Sequence, residues 1–247
     1  MLPADLIREL DVAAATPRLL VTSDFDGTLA PIVNDPAAAR ALPAAAEALV
    51  ALAAAPSTTV ALISGRALAV LRELSAMPAA VHLVGSHGAE FDAGFSHDID
   101  EAKLARITGE LHDIAADRPG VTVEAKPASV ALHVRNASAA DGQSALAAAR
   151  GAAQAWDVET TEGKAVIEFA VIATDKGEAI DVLRDQADAT AVVFLGDDVT
   201  DEKAFRRMRD GDIGIKVGPD DTAAGFRIDS PDDVADVLAH LLAARHT

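Results

Sequence analysis

The chain contains no cysteine and no tyrosine, and aromatic residues make up only 3% of its 247 positions. Without cysteine there are no disulfides and no thiolate metal sites. With so few rings, and half of the residues hydrophobic, Ala, Val and Leu must fill the core. The length suffices for one, since a chain of this size buries roughly three quarters of its extended surface on folding. Long apolar runs are also missing: no stretch reaches the ~18 continuous apolar residues of a membrane span. The opening residues 2–15 carry Asp5, Arg8, Glu9 and Asp11, which read as an amphipathic surface helix rather than a leader. Cations are scarce as well, with 21 Lys and Arg against 39 Asp and Glu and a formal net charge of −18. Nucleic acid and anionic membranes both demand basic patches, so neither is expected as a partner. These absences point to a soluble, cytoplasmic protein, and a monomer is expected.

What is present is organised around Leu19-Leu20-Val21-Thr22-Ser23-Asp24-Phe25-Asp26-Gly27-Thr28. A short apolar strand ends in two carboxylates two residues apart, and Gly27 permits a sharp turn after them. In a parallel α/β sheet, ligands bind at the carboxyl ends of the strands. Two close carboxylates there repel each other unless a cation sits beside them. Taken alone, Asp-x-Asp-Gly suits a solvated turn equally well.

The chain then alternates. A helix over residues 42–55 precedes a β-branched strand at 58–63, which ends at Ser64-Gly65-Arg66. A helix at 68–74 leads to a strand at 81–84, closed by Gly85-Ser86-His87-Gly88. This rhythm implies right-handed crossovers and a doubly wound, Rossmann-like parallel sheet. Over residues 92–170 it changes to helix (100–116), two strands (121–126 and 129–135), helix (139–156) and two strands (157–161 and 164–169), with Glu162-Gly163 at the last turn. Helix then hairpin, twice, is an α+β pattern with an antiparallel sheet. We read it as a domain inserted into a core made of residues 1–91 and 171–247. The α/β rhythm resumes with a helix at 175–187, carrying Lys176 in its first turn, and a strand at 190–195 that runs into Gly196-Asp197-Asp198-Val199-Thr200-Asp201-Glu202. A helix to residue 209, strands at 213–217 and 225–228, and a helix at 231–244 complete the core.

Each chemical signal has an ordinary counterpart. Ser64 suits a helix N-cap, Lys176 a solvated surface, and the acidic run a helix start favoured by the dipole. Yet Asp197 and Asp198 follow a buried strand, where uncompensated charge is penalised. With Asp24 they form an oxygen-rich set suited to Mg²⁺ and phosphate oxygens together.

The order and strand context of Asp24-Phe-Asp-Gly-Thr-Leu29, Ser64, Lys176 and Asp197-Asp198-x-x-Asp201 resemble the four motifs of the haloacid-dehalogenase-like phosphatases. The resemblance implies that Asp24 is a nucleophile and Asp26 a general acid/base, with Ser64 and Lys176 completing the catalytic set. It implies Asp24, Asp26, Asp197, Asp198 and Asp201 as the metal-binding set, with Mg²⁺ the cofactor, and the insert as the family's cap. Glu124-x-Lys126 with His133-Val134-Arg135, and Gly163-Lys164-x-x-x-Glu168, narrow the resemblance to the trehalose-6-phosphate phosphatases. That implies a sugar-phosphate substrate bound by Glu124, Lys126, Arg135, Lys164 and Glu168, together with Thr28, Gly65, Arg66 and His87. Val134 stands where that family often has Tyr, and Ala170-Val171 where it has a basic residue and proline. Read without the resemblance, the charged residues of the insert equally suit cross-strand ion pairs on a solvated sheet face. Phosphatases of sucrose phosphate or mannosylglycerate phosphate, sugar phosphomutases, and a silent regulatory domain are the alternatives.

Overall fold

The structure, a computed structural model, describes residues 2–163 and 165–245. The chain opens with α1 (Ala4–Ala14), whose Leu6, Leu10, Ala13 and Ala14 face inward at helical spacing. Next come β1 (Leu19–Ser23), α2 (Pro43–Ala53), β2 (Thr58–Ile63), α3 (Leu68–Ser75) and β3 (Val81–Val84). A small hairpin of β4 (Glu90–Phe91) and β5 (Gly94–Phe95) precedes α4 (Glu101–Ala116), β6 (Thr122–Ala125), β7 (Ser129–His133), α5 (Ala139–Ala153), β8 (Glu159–Gly163) and β9 (Val166–Ala170). The chain closes with α6 (Lys176–Ala187), β10 (Ala191–Gly196), α7 (Asp201–Phe205), β11 (Ile213–Val217), β12 (Phe226–Ile228) and α8 (Pro231–Arg245). No helix among the described residues is long and apolar enough to cross a membrane.

Two compact units result, one of residues 1–94 and 174–247, the other of residues 95–173. In the first, six strands pair in parallel in the order β12-β11-β10-β1-β2-β3. Leu19, Val21, Val60, Leu62, Val193 and Ile215 pack under α1, α2, α3 and α8. The alternate residues Leu20, Ala61, Ile63, Val192 and Phe194 meet α6 and α7. Helices on both faces are why these strands read as continuous apolar runs. From β1 the chain winds outward to β3 on one side and, after the insert, to β12 on the other. The seam between β1 and β10 is therefore the switch point, where such sheets place ligands.

The second unit is a four-stranded antiparallel sheet, β6-β7-β9-β8. Val130, Leu132, Ile167 and Phe169 face α4 and α5, meeting Ile107, Leu111, Ala145 and Ala149. The single tryptophan, Trp156, is buried in this core edge-on to Phe169, with ring centroids 4.9 Å apart. Its indole N–H donates to Glu110 at 2.9 Å. Strand register sets Glu124, Ala131 and Glu168 side by side on the opposite face.

Two local expectations are corrected. Glu162 and Gly163 do not turn; β8 continues through them, and Gly163 pairs with Val166. Glu162 lies on the helix-bearing face, where the Arg150 Nε of α5 donates to it at 2.7 Å. The helix after the acidic loop stops at Phe205 rather than at residue 209. There the Asp212 carboxylate accepts the N–H groups of Arg209 at 2.8 Å and Val192 at 2.9 Å, turning the chain into β11.

Candidate active site

The parallel ladder does not stop at the end of β1. The Asp24 N–H donates to the Leu195 carbonyl at 2.9 Å, pinning Asp24 against the end of β10. Its side chain is buried, and Oδ1 accepts the Phe25 N–H at 2.7 Å and lies 3.0 Å from Lys176 Nζ. Lys176, only 2% exposed, comes from the first turn of α6, whose N-cap Asp175 accepts the Glu178 N–H at 3.0 Å. The Lys176 ammonium also donates to Asp201 Oδ1 at 2.7 Å. Asp201 Oδ2 in turn accepts the backbone N–H groups of Asp197 at 2.8 Å and Asp198 at 3.0 Å. Glycine is required at position 27, which has φ +84°; a Cβ there would overlap the Asp197 carboxylate.

The charges do not balance. Burial pushes the Asp24 carboxyl well above its ordinary value; Lys176 pulls it down, while Asp201, Asp198 and Asp197 add to the rise. Burial, with Asp201 and Asp198 nearby, raises Asp197 to about 7, against the pull of Lys176 and of the Thr28 hydroxyl, which donates to Oδ1 at 3.1 Å. Asp201 is raised by burial as well. Burial works downward on Lys176, but Asp201 and Asp24 hold it above its ordinary value. Partial desolvation works upward on Asp198, yet Lys176 and two hydrogen bonds from Thr200, at 2.8 and 2.6 Å, hold it low. One ammonium thus serves four carboxylates.

Among the described residues, Asp24, Asp197 and Asp201 form the one group of acid or imidazole side chains close enough to share a metal, their ligand atoms all within 4.8 Å of one another. Convergent, charge-burdened carboxylate oxygens fit a hard divalent cation such as Mg²⁺. Asp201 already serves Lys176 and two amides, so Asp24 and Asp197 carry the unused capacity.

The other residues singled out from the sequence lie as follows. Arg66 Nε and Nη2 donate to Asp26 Oδ2 and Oδ1, each at 2.6 Å, and Asp26 is not among the three acids that converge. Arg66 also sits over the Phe25 ring, 5.9 Å from its centroid. Buried Ser64 accepts the Arg66 N–H at 3.2 Å and caps no helix; α3 starts at Leu68, whose N–H goes to Glu90 Oε2 at 2.8 Å. The His87 N–H donates to the Ser64 carbonyl at 2.9 Å with φ at +56°, and a Cβ on Gly65 would run into its imidazole. In the second unit Lys126 Nζ donates to Glu168 Oε2 at 2.7 Å, Ser129 donates to Glu168 Oε1 at 2.6 Å, and His133 Nε2 lies 2.8 Å from Glu124 Oε2. Arg135 lies beyond the end of β7, and Lys164 is outside the described residues.

Sequence reasoning noted His133 without giving it a role and passed over Ser129, both of which follow from the strand register, and Lys216. Lys216 lies in buried β11, is 2% exposed, and donates through Nζ to the Asp197 main-chain oxygen. A lysine inside Ile213-Gly-Ile-Lys-Val217 was the available signal.

A sheet wound both ways from β1, carboxylates from β1 and β10 meeting at its switch point, and an α+β insert before α6 together define a haloacid-dehalogenase-like protein with a cap. The comparisons carry this further. The Trehalose-phosphatase family model matches residues 22–232. The chain is 38% identical over 239 residues to the trehalose-phosphate phosphatase of Mycobacterium avium (strain 104), covering 88% of this chain and 60% of that one. It superposes on the C-terminal domain of a C. albicans trehalose-6-phosphate phosphatase with a TM-score of 0.79 at 25% identity, covering 97% of each chain. For the Aspergillus fumigatus trehalose-6-phosphate phosphatase, the TM-score is 0.68 at 28% identity, covering 98% of this chain and 97% of that one. The chain belongs to the trehalose-phosphatase family. It spans about 60% of the length of the mycobacterial trehalose-phosphate phosphatases it matches.

Proposed function

We propose that the chain hydrolyses trehalose 6-phosphate to trehalose and inorganic phosphate, with Asp24 and Asp197 the residues that would hold Mg²⁺. The observation that carries the reading is the seam between β1 and β10, where Lys176 bridges Asp24 and Asp201 beside Asp197. Bound there, Mg²⁺ offsets the negative charge on the transferring phosphoryl group.

In the first half-reaction an Asp24 oxygen attacks phosphorus and the bond from phosphorus to the sugar oxygen breaks. Asp26 gives its proton to that oxygen, leaving an aspartyl-phosphate on Asp24. In the second, water attacks the phosphorus as Asp26 takes its proton; the bond to Asp24 breaks, releasing phosphate and restoring the carboxylate. Lys176 keeps Asp24 in line and adds charge beside the phosphate, to which Ser64 and Thr28 donate hydrogen bonds. In the resting geometry both Asp26 oxygens are held by Arg66. Proton transfer requires that fork to release one of them, and an incoming phosphate is the natural second partner for a guanidinium. In the second unit, Glu124, Lys126, Arg135, Lys164 and Glu168 bind the sugar, whose hydroxyls need acceptors as well as donors.

Phosphate release measured across a panel of sugar phosphates with Mg²⁺ tests the reading. Preferred release from trehalose 6-phosphate supports it. Equal rates on glucose, mannose and sucrose phosphates overturn the substrate assignment, and phosphate migration without release would mark a mutase.

A further inference from the structure

β11 is buried at every position, and Lys216 sits in it with its ammonium removed from water. Such burial is unfavourable unless other groups replace the lost hydration. Among the described residues Lys216 makes no ion pair; its one hydrogen bond goes to the main-chain oxygen of Asp197. Register explains the reach, since Lys216 pairs with Gly196, the residue before Asp197. Asp197 is therefore fixed at three points. Its N–H donates to Asp201 Oδ2 at 2.8 Å, its carboxylate accepts from Thr28 at 3.1 Å, and its carbonyl accepts from Lys216. The peptide that follows Asp197 is also held through the Asp198 N–H, which donates to Asp201 Oδ2 at 3.0 Å; without Lys216 that one bond is all that fixes it, and the Asp197 carboxylate loosens against Asp24.

We infer that Lys216 is a positioning residue: by anchoring the Asp197 peptide it orients the carboxylate that, with Asp24, holds the divalent cation. The inference rests on the metal site proposed above. Lys216 works here through a hydrogen bond to a carbonyl, whereas Lys176 works through charge on the carboxylates themselves.

The test compares Mg²⁺ affinity by calorimetric titration in the wild type, Lys216→Met and Lys216→Gln, with the thermal midpoint of each metal-free chain. Methionine keeps the bulk and loses the donor, and should weaken Mg²⁺ binding roughly 10–100-fold, as removal of groups supporting metal ligands does. Glutamine keeps an N–H donor and should restore most of the affinity. Both substitutions remove the buried charge, so a purely structural role would move their midpoints together and leave Mg²⁺ affinity alone. A wild type that fails to bind Mg²⁺ refutes the metal site itself. A wild type that binds, with the methionine variant binding equally well, overturns the role of Lys216. Glutamine binding as weakly as methionine overturns it too, because charge rather than the hydrogen bond would then matter. If the methionine variant does not fold, Lys216→Thr, too short to reach the Asp197 oxygen, takes its place with the same outcomes.

Discussion

Raising the pH of the metal-free chain from about 5.5 to about 8 should lower its stability, and Mg²⁺ should reverse the loss. Asp197 titrates near 3.8 when unperturbed and at about 7 in the folded chain. Between those values the folded chain keeps a proton that the unfolded chain has released. Stability is therefore greatest below the unfolded value and falls as pH climbs toward 7. At about 1.4 kcal/mol per unit, the rise from 5.5 to 7 removes about 2 kcal/mol. For a chain of this size that corresponds to roughly 4–8 °C in the melting midpoint. Asp24 and Asp201 are raised too and act with the same sign, whereas Asp198 is lowered and acts only at more acid pH. Mg²⁺ needs deprotonated carboxylates, so its stabilising effect should grow with pH. At a hundredfold excess over the dissociation constant it reaches about 2.7 kcal/mol. Scanning calorimetry in chelator and in Mg²⁺ across this range reads both effects, and Asp197→Asn should flatten the slope in chelator. A metal-free midpoint that stays level or rises from pH 5.5 to 7, or an undiminished fall in Asp197→Asn, would refute the reasoning.

Asp24→Asn should abolish phosphate release, because a neutral amide cannot attack phosphorus, while the metal-free melting midpoint stays level or rises as a charge-burdened carboxyl is removed. Appreciable turnover by this variant, folded and supplied with Mg²⁺, would exclude Asp24 as nucleophile. Gly27→Ala forces a Cβ into the Asp197 carboxylate at positive φ, and should weaken Mg²⁺ binding and cost about 1–3 kcal/mol of stability, read by calorimetric titration and denaturant melts. Glu168→Ala strips Lys126 and Ser129 of their shared partner. It should reduce kcat/KM for trehalose 6-phosphate roughly 10–100-fold and leave p-nitrophenyl phosphate within a few-fold; equal losses on both substrates would make the network merely structural.

How legible all this was depended on the range of the interaction that shapes each part. The parallel core was readable because β1, β2 and β10 are buried on both faces and so appear as unbroken apolar runs. The insert showed because its strands alternate, Val130, Leu132, Ile167 and Phe169 inward and their neighbours outward. The end of α7 was not readable: past it, Asp212 holds the Arg209 N–H and also the Val192 N–H of β10, and no local pattern reports that second contact from a neighbouring strand. The turn expected at Glu162-Gly163 failed for a similar reason, since pairing with β9 carries the strand on to Gly163 opposite Val166, and the Arg150 side chain of α5 meets Glu162 there. In the site, Asp24, Lys176, Asp197 and Asp201 stood out because strand ends and helix starts are local features. That Asp26 turns to Arg66, and that Lys216 reaches Asp197, depends on strand order, which the sequence does not spell out.

The placement of β1 also has a consequence for how the chain assembles. β1 lies between β2 and β10, yet β10 begins at Ala191, on the far side of the insert. A ribosome adding about 5–20 residues per second needs roughly 10–30 s to bridge that interval. For all of it, one edge of a strand destined to be wholly buried has no partner, and the acids that follow β1 lack the loop that completes their cluster. The insert, continuous from residue 95 to residue 173, can close its own sheet in the meantime. Nascent chains stalled before residue 191 should therefore hold a folded insert beside an open sheet edge. That edge is where aggregation and chaperone capture would begin, and the chance of a wrong pairing ends only as Ala191–Gly196 docks along β1.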